Sequence, residues 1–410
     1  MRDQAPTLSA PAPATAVVGM DGQASLRSWL AVGSVGVGVF AFVTTEFIPV
    51  GLIPQIAKGL GVSIGAAGLM LTLPGLLSAF FAPALILLAG RIDRRVLLLT
   101  LLGLLVGSNM VSALSPNFAL MMAGRALLGL CLGGYWTVAL AAGARLVPPV
   151  QQTRAVSIMM SGMTCATVIG LPLGTWIGSM LTWRAAFATT AVLAGAALCA
   201  QALLVPTLPS TTAVKMADFR RLLRRKATLA SLGLGALLFA ANIASYTYLA
   251  PFLETVSVFG RNAITPVLLG FGVIGFLANL GVAPLVAVHP KRVLVLMIGI
   301  MAATMALLPI VALSHVGVIG VLVVWAVPFG AVPLCLNAWA LQSAPDRPEA
   351  VSSLFISTVQ LSIALGSSFA AGLVAVFGVP ANIWLGSGLA VVGLVLVGLS
   401  RGATPEVVHS

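Results

Sequence analysis

An all-α membrane protein of twelve transmembrane helices, arranged as two six-helix halves, is the fold this sequence predicts. Three observations predict it. Of 410 residues, 60% are hydrophobic and 7% charged, where soluble domains carry about 25% charged residues. Twelve apolar runs are long enough to cross a bilayer, which takes roughly 20 residues. Lys and Arg gather on alternate loops, the pattern that orients a multispanning chain.

The elements follow in order. Residues 1–28 are rich in Ala and Pro, with no basic stretch leading into a short apolar core, and read as a disordered cytoplasmic tail rather than a cleaved signal. The first span, 29–53, is almost wholly apolar yet holds the carboxylate of Glu46. The second, 65–89, carries no charge and gives way to the basic loop of Arg91, Arg94 and Arg95. The third, 96–115, stops at Pro116; the fourth, 118–145, holds Arg125. The fifth, 156–181, repeats a small residue every four positions, at Gly162, Ala166, Gly170, Gly174 and Gly178, a stripe that lets another helix approach closely, with Pro172 adding a bend. The sixth, 184–206, leads into the longest polar stretch between spans, a basic linker at 207–227. Spans at 228–251, 264–288, 293–313, 317–341, 351–377 and 380–400 complete the second half, and 401–410 is a second tail. The breaks hold Pro, Gly and charge, as helix ends do, and the runs lack the alternation of barrel strands.

With the amino terminus inside, the outer loops hold only Lys58, Arg184 and Arg261, so both termini are expected in the cytoplasm. The net charge of +12 is then topological and does not point to nucleic acid. Cys131, Cys165, Cys199 and Cys335 lie in spans without a CxxC spacing and read as buried small hydrophobes. No metal cluster, hydrolase constellation or Walker loop is seen, so no cofactor and no ATP-driven step is expected.

A shift of 197 residues carries Pro54 to Pro251, Arg95 to Arg292, Gly133 to Gly330 and Pro148 to Pro345. That common register reads as a parallel internal repeat with a central site between halves. The shift takes Glu46 to Ile243 and Arg125 to Leu322, so the charge chemistry is confined to the first half.

Glu46 and Arg125 are each about 12 Å below the outer surface at 1.5 Å per residue. Helix 1 rises where helix 4 descends, so the two can meet and offset part of each other's cost in hydrocarbon. Arg125 reads equally as a clamp on backbone carbonyls, because it does not release its proton. Polar and aromatic side chains near span centres are the substrate candidates: Thr45, Trp136, Asn242, Tyr246, Asn337 and Gln360. Aromatic faces can stack on a heterocycle, and amides can bind hydroxyls and ring edges. Trp325 is set aside as lipid-facing.

"GRIDRRVLLL" (90–99), "GRALLGLCLGGYW" (124–136) and "GMTCATVIGLPLGTWIG" (162–178) resemble three signatures of the major facilitator superfamily, drug:proton antiporter group. "TEFIPVGLIPQIAKGLGVS" resembles the branch of sugar and nucleoside exporters, and "DRRVLLL" with "ARLVPP" is most similar to purine ribonucleoside efflux pumps. In the first signature the second Gly is missing and the loop is shorter. The resemblance implies a proton-coupled antiporter of the bacterial inner membrane, not an enzyme, acting as a monomer on an inosine-like nucleoside. It implies that Glu46 and Arg125 serve proton coupling, and that Asp93, Arg94 and Arg95 serve an inner gate and Gly170, Pro172 and Gly174 an outer one. A broad multidrug or sugar exporter is the alternative, and a membrane-embedded enzyme or channel a remote one.

Overall fold

A computed structural model describes residues 24–210, 213–257 and 261–399. Its long elements are helices: α1 (Leu26–Phe47), α2 (Ile64–Ala89), α3 (Arg94–Ala113), α4 (Phe118–Gly143), α5 (Gln152–Cys165 continued through 166–180), α6 (Trp183–Leu204), α7 (Lys226–Thr247), α8 (Arg261–Val288), α9 (Pro290–Ile310), α10 (His315–Ser343), α11 (Pro348–Phe377) and α12 (Val379–Leu399). Among the described residues, eleven helices are long and apolar enough to cross a membrane. The twelfth span, α5, is interrupted: a π-helical turn at Ala166–Gly170 separates Gln152–Cys165 from Leu171–Met180. Pro172 stands in the first turn after that interruption; its side-chain surroundings lie outside the described residues. The tails at 1–23 and 400–410 also lie outside them.

Local chemistry sets the helix starts. Each helix leaves its first backbone N–H groups without an internal partner, and a short polar side chain supplies one. Ser25, Ser63, Asp93, Asn117, Thr182 and Ser314 do this for α1, α2, α3, α4, α6 and α10.

The 197-residue register recurs in the helices. Moved by 197, α3 (94–113) becomes 291–310 and α9 is Pro290–Ile310; α4 (118–143) becomes 315–340 and α10 is His315–Ser343; α5 (152–180) becomes 349–377 and α11 is Pro348–Phe377. A close crossing recurs too. A Cβ on Gly133 would stand 2.5 Å from the Ser78 carbonyl, and one on Gly330 would collide with the carbonyl of Gly275, which is Ser78 moved by 197. So α4 lies on α2 as α10 lies on α8, backbone against backbone.

The interior is apolar: one large cluster draws side chains from both sets of six helices, and a smaller one gathers Ile48, Leu52, Met70, Met121 and Phe187 in the first half. Trp325, expected at the lipid face, is fully buried in the large cluster, edge-on to Phe271 at 5.3 Å. Gly275 and Gly330 let α8 and α10 touch backbone to backbone, and the ring is enclosed beside that crossing. Cys199 differs from expectation in the opposite sense and is exposed on the outside of the bundle.

Candidate functional site between the halves

Glu46 sits in the last turn of α1 and is 8% exposed. Arg125 of α4 is fully buried beside it. Its guanidinium fork does not reach for the carboxylate. Nη1 donates to the Thr45 carbonyl at 2.8 Å, Nη2 to the Glu46 carbonyl at 2.8 Å, and Nε to the Met70 carbonyl of α2 at 2.9 Å. A helix end leaves its last carbonyls unpaired, and here a buried cation satisfies two of them while tying α1 to α2 and α4. Of the two readings of Arg125 open in the sequence, the geometry is that of the carbonyl clamp. The Glu46 carboxylate is left to another partner: Gln360 of α11, whose Nε2 donates to Oε1 at 3.3 Å. A residue singled out for substrate and one singled out for protons thus meet across the two halves.

The remaining substrate candidates divide. Thr45 is committed within the first half: its hydroxyl donates to the Ala41 carbonyl at 2.8 Å and accepts from Asn109 at 3.0 Å, and Asn109 accepts in turn from Thr190 at 2.8 Å. Trp136 is buried next to Tyr135, which stacks on Phe42 at 4.4 Å. In the second half, Asn242 Oδ1 and both amide atoms of Asn337 are buried with no partner within the protein. Tyr246, half-buried, packs on Phe329 at 4.8 Å and Phe271 at 5.8 Å. The second half therefore brings unpaired amides and an aromatic cluster, the first half a carboxylate.

At the basic side of the bundle the gate candidates separate. Arg94, fully buried, makes a bidentate ion pair with Glu349 of α11, with Nε to Oε1 at 2.6 Å. Asp93 instead caps α3 and accepts from the Leu208 N–H at 3.0 Å, and Arg95 holds the Ala202 carbonyl at 2.6 Å. Two further ties join the linker to the loop before α11: Arg225 with Asp346 at 2.6 Å and Arg347 with Asp218 at 3.3 Å. Arg225 holds the Asp346 carboxyl below the usual carboxylate range. Sequence reasoning missed Glu349, although a signal existed: acids are rare on a basic side, and Asp93, Asp218, Asp346 and Glu349 each have a structural partner there.

Asn279 was also missed. Deep in α8, it crosses to α5: its amide donates to the Ser157 carbonyl and the Ser161 hydroxyl, both at 3.0 Å, and Ser157 donates back to the Asn279 carbonyl at 2.9 Å. Its signal was present, an amide alone in an apolar span. The small-residue stripe on the other face of α5 packs on α1. A Cβ on Gly170 would meet the Thr44 side chain, one on Gly174 would stand 2.6 Å from Ile48, and one on Gly178 2.5 Å from Leu52. Thr44 of α1 and, in the turn that follows it, Ile48 and Leu52 fill this groove, spaced four apart.

The sequence profile described as Major Facilitator Superfamily matches residues 35–367. The chain is 34% identical over 348 residues to the transcription regulatory protein OpdE of Pseudomonas aeruginosa, covering 83% of this chain and 86% of that one. It is 29% identical over 343 residues to the purine ribonucleoside efflux pump NepI of Escherichia coli, again covering 83% and 86%. Among solved structures, the human organic anion transporter MFSD10 (TETRAN) superposes with a TM-score of 0.73 at 17% identity, over 90% of this chain and 99% of that one. That last likeness is one of fold.

Proposed function

This chain belongs to the Major Facilitator Superfamily, a family of multispanning membrane transporters of small molecules, and on that premise we propose that it is a proton-coupled antiporter exporting purine ribonucleosides by alternating access. One observation carries the reading: a buried carboxylate inside a span, Glu46, on a helix end gripped by the buried guanidinium of Arg125. Ionisable groups at such depth mark ion pathways. Proton and solute are coupled when each prefers a different arrangement of the halves.

The two halves are residues 29–206 and 228–400, joined by the basic linker 207–227. The excess of Lys and Arg on alternate loops supports cytoplasmic termini, and the bacterial relatives support a bacterial inner membrane as the setting. The nucleoside assignment draws on the NepI relative and on the chemistry of the second half. Asn242 offers an unpaired amide oxygen and Asn337 an unpaired amide for ribose hydroxyls, and Tyr246 offers a ring for a base. The protein acts as a monomer in this reading. The Pseudomonas relative carries a name that speaks of transcription. Here the positive charge follows the loops of one membrane side, as orientation requires, and the transporter reading is kept.

The test is uptake of labelled inosine into inverted membrane vesicles with an acid interior. Wild type should accumulate inosine, with nucleosides competing better than sugars or lipophilic cations, and Glu46→Gln should not accumulate it. Accumulation by Glu46→Gln at the native rate places the proton site elsewhere. Failure of nucleosides to compete overturns the substrate.

A further inference from the structure

We propose that Gln360 is the residue through which the second half reads the protonation state of Glu46: a positioning residue of proton coupling. This rests on the reading of Glu46 as the proton site. Gln360 and Glu46 come from opposite halves, are 6% and 8% exposed, and meet through Nε2 and Oε1 at 3.3 Å.

The internal repeat separates chemistry from architecture at this contact. Moving Glu46 forward by 197 gives Ile243, and moving Gln360 back by 197 gives Met163, both partly buried. The corresponding places in the other copy of the fold hold two apolar side chains. The helix arrangement is therefore built without a carboxylate or an amide there, and the polar pair is surplus to folding.

The charge inventory around Glu46 is short. α2 carries no charged residue. Arg27 of α1, Arg94 and Arg95 of α3, Arg154 of α5 and Glu349 of α11 all sit in the first turns of their helices, at the basic side. Arg184 of α6 holds the Ser115 carbonyl at 2.9 Å. Tyr135 accepts from Gln201 at 2.6 Å and donates to the Val35 carbonyl at 3.2 Å, farther along α4; Cys131 of α4 donates to the Leu128 carbonyl at 3.2 Å, and Cys165 and Cys199 lie on α5 and α6. Arg125 spends its fork on backbone oxygens. It keeps its charge throughout, so the titrating partner that changes the Gln360 contact is Glu46 itself.

An ionised carboxylate only accepts, and a hydrogen bond to it is roughly twice as strong as a neutral one. With Glu46 ionised, Gln360 ties α11 to α1. When Glu46 takes a proton from hydronium, an O–H bond of the hydronium breaks to leave water as the carboxyl O–H forms, the charge assistance is lost, and the tie between halves loosens. The same α11 carries Glu349, the partner of Arg94 at the far end. A loosened α11 is then free to release that closure.

The experiment follows backbone hydrogen exchange in the purified full chain from pH 5 to pH 9 with no substrate present, read on peptides covering 90–98 and 345–356. Measured against the intrinsic base-catalysed rate, which itself falls with pH, wild type should lose protection at these peptides as pH falls. Glu46→Gln and Gln360→Met, the latter placing in α11 the residue type of its repeat mate, should both lose that pH dependence. A purely structural role for Gln360 would raise exchange at every pH and leave the pH midpoint unmoved, and that result overturns the proposal. So does a wild-type pH profile in Gln360→Met while Glu46→Gln is flat. If Glu46→Gln keeps the wild-type profile, the proton reading of Glu46 fails, and the proposal with it.

Discussion

Replacing Arg125 by Lys separates a clamp from a counter-ion. The guanidinium makes three hydrogen bonds to three carbonyls on two helices. A Lys ammonium keeps the charge but lacks the planar fork and reaches one of the three. Hydrogen bonds to a charged group contribute about 1.5–3 kcal/mol each. Losing two costs about 3–6 kcal/mol, enough to remove much of the folded population of a marginally stable protein. Glu46→Gln should behave differently. The fork holds the Glu46 backbone oxygen and not its carboxylate, so the clamp survives and thermal stability in detergent stays near wild type while proton-driven uptake is lost. A buried ion pair predicts the reverse. Lys would rescue Arg125, and Glu46→Gln would strand a cation at a cost of about 3–5 kcal/mol. The assay is thermal unfolding of the purified variants beside uptake in inverted vesicles. A wild-type-like Arg125→Lys, or a Glu46→Gln as unstable as Arg125→Lys, refutes the clamp.

Gly170→Ala should destabilise by about 1–3 kcal/mol through overpacking, since its Cβ would press on Thr44, with Cγ2 at 3.1 Å and Cβ at 3.2 Å. Adding Thr44→Ala removes the side-chain atoms beyond Cβ and should restore most of the loss; additive unfolding energies would count against a tight α1–α5 seam. Asn279→Ala removes two bonds between halves, each about 0.6–1.7 kcal/mol in a membrane setting. It should speed cysteine labelling between α5 and α8, and unchanged labelling with normal expression would show that the knot holds nothing. Asp346 sits lower than an ordinary carboxylate because Arg225 binds its charged form. Its contribution is then complete above the ordinary carboxylate value near 4 and fades as pH falls through the depressed one. Transport by Asp346→Asn between pH 6 and 8 should show the pH profile of wild type, and an altered midpoint in that window would contradict the assignment.

The spans and their twofold register were legible because hydrocarbon imposes length and internal hydrogen bonding on every crossing, and both leave periodic marks. Glu46 and Arg125 stood out for the cost of burying charge. What they do with that charge was not legible: spacing puts two helices at one depth but does not say whether a fork turns to a side chain or to the main chain. The same limit hid the meeting of Glu46 with Gln360, two residues 314 apart whose contact depends on how the halves dock. The break in α5 was half visible, in a stripe of glycines and Pro172, but neither marks the π turn at Ala166–Gly170. Trp325 was misplaced because a ring in an apolar run looks the same from either side of the helix.

The paired crossing at Gly133 with Ser78 and at Gly330 with Gly275 bears on how such a chain tolerates change. Two copies of one plan share the demand for tiny side chains where backbones touch, so each copy polices the same positions independently. Nothing of the kind applies to Glu46 and Gln360, whose counterparts are Ile243 and Met163. Sensitivity to substitution should echo at a distance of 197 along the chain wherever the helices are merely stacked, and fall silent where one half alone has acquired a task. The scaffold is duplicated and the chemistry is single, which leaves the second half room to reshape its amides and rings for a new solute without disturbing the first.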